Sequence, residues 1–216
     1  MCICSSAWHF LPAGRVEIKQ RAAKTTIAAV AILAVSTVSG TAAQTPGSTY
    51  VSTVFKDGTN GAKVHIASGF VCPDKIGRYI RDAVGESDLT MGSDFCSYYA
   101  LDGVYGTITL TPLQGGYNPT VSLAPAFIEQ EGIGGRKIGE KTIALGSKNA
   151  PLPVYTRTYE TARLETLHYR ILFTGGAVKN WVVETTIEYA EPRDLAVKED
   201  FLNAVYDAAQ KEIGGQ

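Results

Sequence analysis

Between Arg163 and Thr174 apolar side chains recur at every second position. Leu167, Tyr169, Ile171 and Phe173 share one face; Thr166, His168, Arg170 and Thr174 share the other, with Leu172 the one apolar exception. Period two marks a half-buried strand. After Thr174-Gly175-Gly176-Ala177 the alternation resumes. Trp181, Val183, Ile187 and Tyr189 now face away from Glu184, Thr186 and Glu188. Two such runs around paired glycines predict a hairpin. A two-residue loop at Gly175-Gly176 pairs odd positions with even ones and splits the apolar stripe. An odd-length loop sets Ile171 against Trp181, Tyr169 against Val183 and His168 against Glu184, and that register is expected.

Pro192 ends the second strand, and Asp194 is placed to cap a helix. Leu195, Phe201, Leu202, Val205, Ala208, Ala209 and Ile213 follow at helical spacing, and Gly214-Gly215 stops the run. A two-stranded hairpin is marginal alone. This helix is its expected cover.

Upstream, Val51–Phe55 predicts a short strand, and Lys56-Asp57-Gly58-Thr59-Asn60-Gly61 a turn. Ala62–Ala67 alternates, with Val64 and Ile66 on the apolar face and Lys63 and His65 on the polar one. Arg78–Val84 alternates as well. Asp94–Ala100 and Val104–Leu110 flank Leu101-Asp102-Gly103, a second hairpin. Ser122–Glu131, with Ser122 as cap and Pro125 in the first turn, predicts a helix. Lys141–Leu145 and Val154–Thr161 complete the strands. The order predicts one α+β domain over residues 62–216: a mostly antiparallel sheet of hairpins covered by a mid-chain helix and a C-terminal helix. Residues 44–61 form a loose lead-in.

The amino terminus is of another kind. Lys19, Arg21 and Lys24 precede a charge-free run, Thr25–Val38, and Thr41-Ala42-Ala43 follows. This is the layout of a secretory signal over residues 1–43, cleaved after Ala43. A retained anchor is the alternative, but spanning takes about 20 apolar residues. The n-region is over-long, and Val16 is an expected true start, so a precursor lacking residues 1–15 is the outcome mass spectrometry should find. Removing residues 1–43 takes four basic and one acidic side chain from the 20 and 21 of the whole chain. The remainder, 16 basic and 20 acidic, has formal charge −4. That balance offers no nucleic-acid footprint. No membrane contact is expected after cleavage. Localisation is expected to be periplasmic or secreted.

Cysteine usage fits export. Cys72 and Cys96 alone remain after cleavage. Two cysteines in an exported chain most often form one disulfide; a reactive thiol and a metal pair are the alternatives, and zinc spacing is absent.

Gly69-Phe70-Val71-Cys72-Pro73, followed by Ile76-Gly77-Arg78-Tyr79 and an alternating strand, resembles exported bacterial proteins of uncharacterised function over Gly69–Thr111. The resemblance implies export and no activity. The layout of meander, mid-chain helix and C-terminal helix resembles the PsbP/Mog1 group of α/β/α sandwiches, which implies that fold and no particular function.

Candidate chemistry is sparse. Gly134, Gly135, Arg136 and Lys137, in Gly132-Ile133-Gly134-Gly135-Arg136-Lys137, form a candidate anion-binding loop, since glycines let backbone N–H groups approach an anion. The loop lacks both phosphate fingerprints, and a flexible turn with a solvated basic end is the alternative. His65 and His168 are the only histidines past the signal. A Cys72–His65 catalytic pair competes with a disulfide, and His168 with a simple cross-strand partner. Tyr98, Tyr99, Tyr105 and Tyr117 either line a binding surface or serve the sheet. No motif implies a cofactor. The expected function is a non-catalytic module binding a protein or an envelope component. A hydrolase with dispersed residues and a small-molecule carrier are the alternatives.

Overall fold

Antiparallel pairing builds the fold. A computed structural model describes residues 52–88, 92–100, 104–164 and 167–213, all within the unit Thr49–Gln216. Three short strands, β1 (Phe55–Asp57), β2 (Lys63–His65) and β3 (Val71–Cys72), form a small sheet. The main sheet holds β4 (Lys75–Ile76), β5 (Tyr79–Asp88), β6 (Ser93–Tyr99), β7 (Tyr105–Pro112), β8 (Arg136–Leu145), β9 (Leu152–Leu164), β10 (Leu167–Val178) and β11 (Trp181–Glu191). Its order is β4-β5-β6-β7-β11-β10-β9-β8, with antiparallel neighbours throughout. Helices α1 (Pro119–Ser122), α2 (Ala124–Gly132) and α3 (Leu195–Glu212) complete the α+β fold. The chain is built into it from Phe55 onward, which pairs with His65 and is buried.

The central hairpin forms, but its turn is elsewhere. Val178 pairs with Trp181 across Lys179-Asn180, and Lys179 has φ 53°. Gly175 and Gly176 lie inside β10, opposite Glu184 and Val183. The register therefore pairs odd with even: Ile171 faces Glu188, Tyr169 faces Ala190 and His168 faces Glu191. The expected pairs Ile171–Trp181, Tyr169–Val183 and His168–Glu184 do not occur. The glycines serve packing rather than turning. A methyl group on Gly175 would overlap the Tyr117 hydroxyl on one face, and a methyl on Gly176 would meet Tyr206 and Val154 at 3.3 Å on the other. The bare backbone lets an aromatic ring approach from each side.

Both faces of the sheet are covered. Leu172, the exception in the sequence alternation, shares a core with Phe201, Leu202, Val205 and Ile187 beneath α3. Its neighbour Phe173 packs on Phe127 of α2, ring centroids 5.6 Å apart. Adjacent residues of a strand point to opposite faces, so α2 and α3 lie on opposite sides. Tyr206, absent from the predicted stripe, is fully buried in α3. Its hydroxyl donates to the Val183 carbonyl at 3.1 Å and accepts from Thr174 at 2.8 Å, whose oxygen in turn takes the Thr185 hydroxyl proton at 2.7 Å.

Two expected caps are replaced. Asn118, not Ser122, caps the mid-chain helical segment, accepting from Thr120 N–H at 3.1 Å. Asp194 precedes α3 but makes no side-chain cap. It is buried, and its carboxylate accepts from Ala190 N–H at 2.9 Å and from Arg78 at 2.6 Å, tying the end of β11 to the turn before β5. The expected burial at β2 is also reversed at its end: His65 is fully buried, whereas Ile66, just past the strand, is 48% exposed.

Cys72 and Cys96 are disulfide-bonded, Cα atoms 6.4 Å apart, and join the small sheet to β6. Among the described residues no helix is long and apolar enough to cross a membrane. The expected signal segment, residues 1–43, and Leu101-Asp102-Gly103 and Gly214-Gly215 lie outside the described residues.

Candidate functional site

His65 stands at the centre of a buried polar chain. Nδ1 lies 2.7 Å from Ser68 Oγ and Nε2 lies 2.7 Å from Asp94 Oδ2. Ser68 N–H also points at Nδ1, at 3.2 Å. Nδ1 is thus the acceptor, and the ring proton sits on Nε2, donated to Asp94. The order serine, imidazole, carboxylate is that of an acyl-transfer triad. Its setting is not. His65 is inaccessible and Ser68 is 4% exposed. Phe55 and Trp181 each hold a ring centroid 5.1 Å from the imidazole, and Ser68 Oγ accepts the Phe70 N–H at 3.1 Å. Burial pushes the imidazole pKa down, against the pull of Asp94. A neutral, enclosed His65 with a spoken-for serine holds β2 to β6; a substrate carbonyl has no approach to Oγ.

The predicted glycine loop is brought together but engaged. Gly134 N–H donates to the Glu131 carbonyl at 3.1 Å and Gly135 N–H to the Gln130 carbonyl at 2.9 Å, closing the end of α2. Arg136 pairs with Glu160, and Lys137 with Glu140 at 2.9 Å. Both cations belong to β8 rather than to a loop. The tyrosines separate as well. Tyr98 is buried and donates to the Pro73 carbonyl at 3.1 Å. Tyr99 and Tyr105 are exposed partners across β6 and β7. Tyr117 donates to Glu184 at 2.9 Å.

A second polar cluster clamps α2. The Arg157 guanidinium lies 3.8 Å over the Phe127 ring and reaches Glu140 at 3.1 Å and Tyr155 Oη at 2.9 Å. Hydrogen bonds from Lys137, Tyr155 and Arg157 draw the Glu140 carboxyl down to about 2. Every cation and acid of this cluster is matched within it.

The arrangement with unused capacity is a trough between edge strand β8 and α3. Its central cavity, about 340 Å³, has Leu172, Thr156 and Thr158 as floor, Lys141 and Ile143 on the β8 side and Lys198 on the α3 side. A second cavity shares Lys141, Thr156, Thr158 and Tyr189 with it and runs on to Ile138 and Glu191. A third shares Asn203 and runs on to Lys148, Asp207 and Lys211. The three adjoin one another through these shared residues. Lys141, Lys148, Lys198 and Lys211 have no carboxylate within 4.0 Å among the described residues. Lys198 rests 5.1 Å from the Tyr189 ring. Two of the trough's carboxylates are neutralised from outside it, Glu140 by Lys137 and Arg157, and Glu191 by Arg170. Glu199 and Asp207 remain, so the channel keeps an excess of positive charge. Sequence reading missed it because its walls, Lys141 and Lys198, are 57 residues apart and each reads as ordinary surface.

Among the described residues no group of three or more histidine, cysteine, aspartate or glutamate side chains is placed to hold a metal ion. No protein-family model matches the chain. No curated protein matches its sequence.

Proposed function

We propose that this chain is an exported, non-catalytic binding module of the periplasm or the extracellular space. It engages a protein or a component of the cell envelope through the trough between β8 and α3. The observation that carries this reading is the trough itself: a run of adjoining cavities with Leu172, Thr156 and Thr158 as floor and four lysines that have no carboxylate within 4.0 Å among the described residues. The disulfide supports an oxidising compartment. Helices on both faces of an antiparallel sheet support the likeness of layout to the PsbP/Mog1 group, which carries no function with it.

The test is a photo-reactive amino acid placed at Asn203, on the trough, or at Gln114, an exposed loop position far from it in sequence. Irradiation in the native envelope is expected to give an adduct at Asn203 and none at Gln114. Equal labelling at both, or none at Asn203, overturns the reading.

One observation favours a hydrolase instead, the 2.7 Å spacings from Ser68 to His65 and from His65 to Asp94. Covalent labelling of Ser68 by an alkyl fluorophosphonate would establish that alternative. The enclosure of Ser68 predicts no labelling.

A further inference from the structure

We infer that an extended, acidic polypeptide segment adds to the main sheet as a ninth strand alongside β8 and sends alternate side chains into the trough. The inference rests on the trough being the binding site.

The main sheet has two edges, and they differ. β4 is two residues long. β8 is ten residues long, and seven of its first eight positions lie open to solvent in an unbroken run from Arg136 to Thr142. Its inner side is paired with β9 from Arg136 to Leu145. No backbone hydrogen bond from any other segment reaches Lys141–Leu145 among the described residues. Alternate residues of an antiparallel edge strand direct N–H and C=O outward, and these groups match only another main chain. The register irregularity between Lys137 and Gly139, and the positive φ of Gly146, bracket a regular stretch of seven residues, Gly139 to Leu145, of which Lys141–Leu145 borders the trough. Natural edges are commonly blunted by proline, by charged side chains, by bulges along their length or by a covering helix. Lys141–Leu145 has no proline and no register shift, and Lys141 is its one charged side chain.

Charge selects the segment's character. Residues on an added strand stand about 5 Å from those opposite on β8. On the α3 face those are Lys141, Ile143 and Leu145, which also wall the trough. Side chains of the added strand on that face therefore meet Lys141 and reach toward Lys198. With only Glu199 and Asp207 against four lysines, carboxylates complement the channel and cations do not. The edge from Ile138 to Leu145 is roughly 25 Å long at about 3.3 Å per residue, the length of a short added strand. Peptide capture at a sheet edge commonly takes this form: main-chain bonds hold the strand and alternate side chains select it.

The experiment uses the full mature chain with the acetylated, amidated decapeptide (Val-Glu)5 as probe, at neutral pH. Comparison probes are (Val-Lys)5, a (Val-Glu)5 carrying N-methyl groups at alternate residues, and a decameric uronic-acid oligosaccharide. Binding is followed by titration and by amide exchange. Expected are saturable binding of (Val-Glu)5, at least tenfold slower exchange for amides of Lys141–Leu145, and at least tenfold weaker binding of the other two peptides. Lys141→Glu should weaken (Val-Glu)5 at least tenfold while leaving the thermal midpoint unchanged, since its ammonium has no partner within the fold among the described residues; Lys198→Glu, which also gives up the contact with the Tyr189 ring, should weaken binding further. Equal binding of the N-methylated peptide, or unchanged exchange in β8, overturns strand addition. Protection of trough residues by the oligosaccharide but not by any peptide also overturns it, yet leaves the trough reading standing. Failure of every probe together with no adduct at Asn203 removes both.

Discussion

Asp94 and His65 are 29 residues apart in the chain, yet Oδ2 of one lies 2.7 Å from Nε2 of the other inside the protein. The contact makes a prediction about acid. Burial holds the imidazole pKa below its ordinary 6.5. As pH falls below 6.5 the unfolded chain takes up the proton first, and the folded chain does not. Protons bound by the unfolded state alone draw the equilibrium toward it, so stability present above pH 6.5 is lost as pH falls toward the folded value. Denaturant midpoints of wild type and His65→Gln between pH 8 and pH 5 should converge as pH drops. Parallel curves would refute the assignment. Asp94→Ala, which leaves a buried Nε2–H without an acceptor, should cost about 1–3 kcal/mol at pH 8.

The disulfide makes a local prediction. Cys72 lies in β3 and Cys96 in β6, 24 residues apart. Closing a loop of that size stabilises by about 3.5 kcal/mol in the chain-entropy model. Replacing both cysteines with alanine should lower the melting temperature by roughly 10 °C for a domain of this size. The small sheet keeps other ties: Arg81 donates to the Cys72 carbonyl at 2.8 Å and to the Gly61 carbonyl at 2.7 Å. It should therefore loosen rather than detach. Amide exchange should quicken in β1–β3 more than in β9–β11, and a uniform increase would count against this account.

Gly175 should resist substitution because of Tyr117. Alanine there places a methyl group on the Tyr117 hydroxyl. Forced repacking of that kind costs typically about 1–3 kcal/mol. Removing the hydroxyl in Tyr117→Phe should relieve part of the penalty, so Gly175→Ala should be milder in that background. A double-mutant cycle reads the coupling directly. Additive effects would mean that the glycine is needed for some other reason.

Those same glycines show where sequence reading succeeds and where it stops. The strands were legible because β5, β6, β7, β9, β10 and β11 alternate, and α3 because its apolar residues recur at helical spacing. The hairpin's turn was not. Gly175-Gly176 between two alternating runs has the composition of a turn, while the true turn, Lys179-Asn180, places a lysine in the left-handed region. What distinguishes the two is the ring on each side of the glycines, supplied by Tyr117 and Tyr206 from distant segments. His65 was misplaced for a similar reason. A histidine beside lysine reads as solvent-facing until Ser68 and Asp94 are known to satisfy both ring nitrogens. The trough is the extreme case, since no single segment contains it.

Glu184 carries the last prediction. Its carboxylate accepts from the Tyr117 hydroxyl at 2.9 Å beneath α1, and it sits opposite Gly175. Burial raises its pKa, and hydrogen bonds from Ser122 and Tyr117 offset this only in part. The folded chain therefore holds a proton to higher pH than the unfolded chain, whose glutamate titrates near 4.5. As pH rises from 4.5 through the folded value, the unfolded state releases its proton first and gains relative stability. At neutral pH the fold then carries a charge that burial disfavours. Glu184→Gln keeps an acceptor for Tyr117 and removes the charge. It should melt higher than wild type at pH 7, with the difference vanishing below pH 4.5. A variant less stable at pH 7 would mean that the carboxylate's hydrogen bonds outweigh its burial, and would reverse the balance assigned to this site.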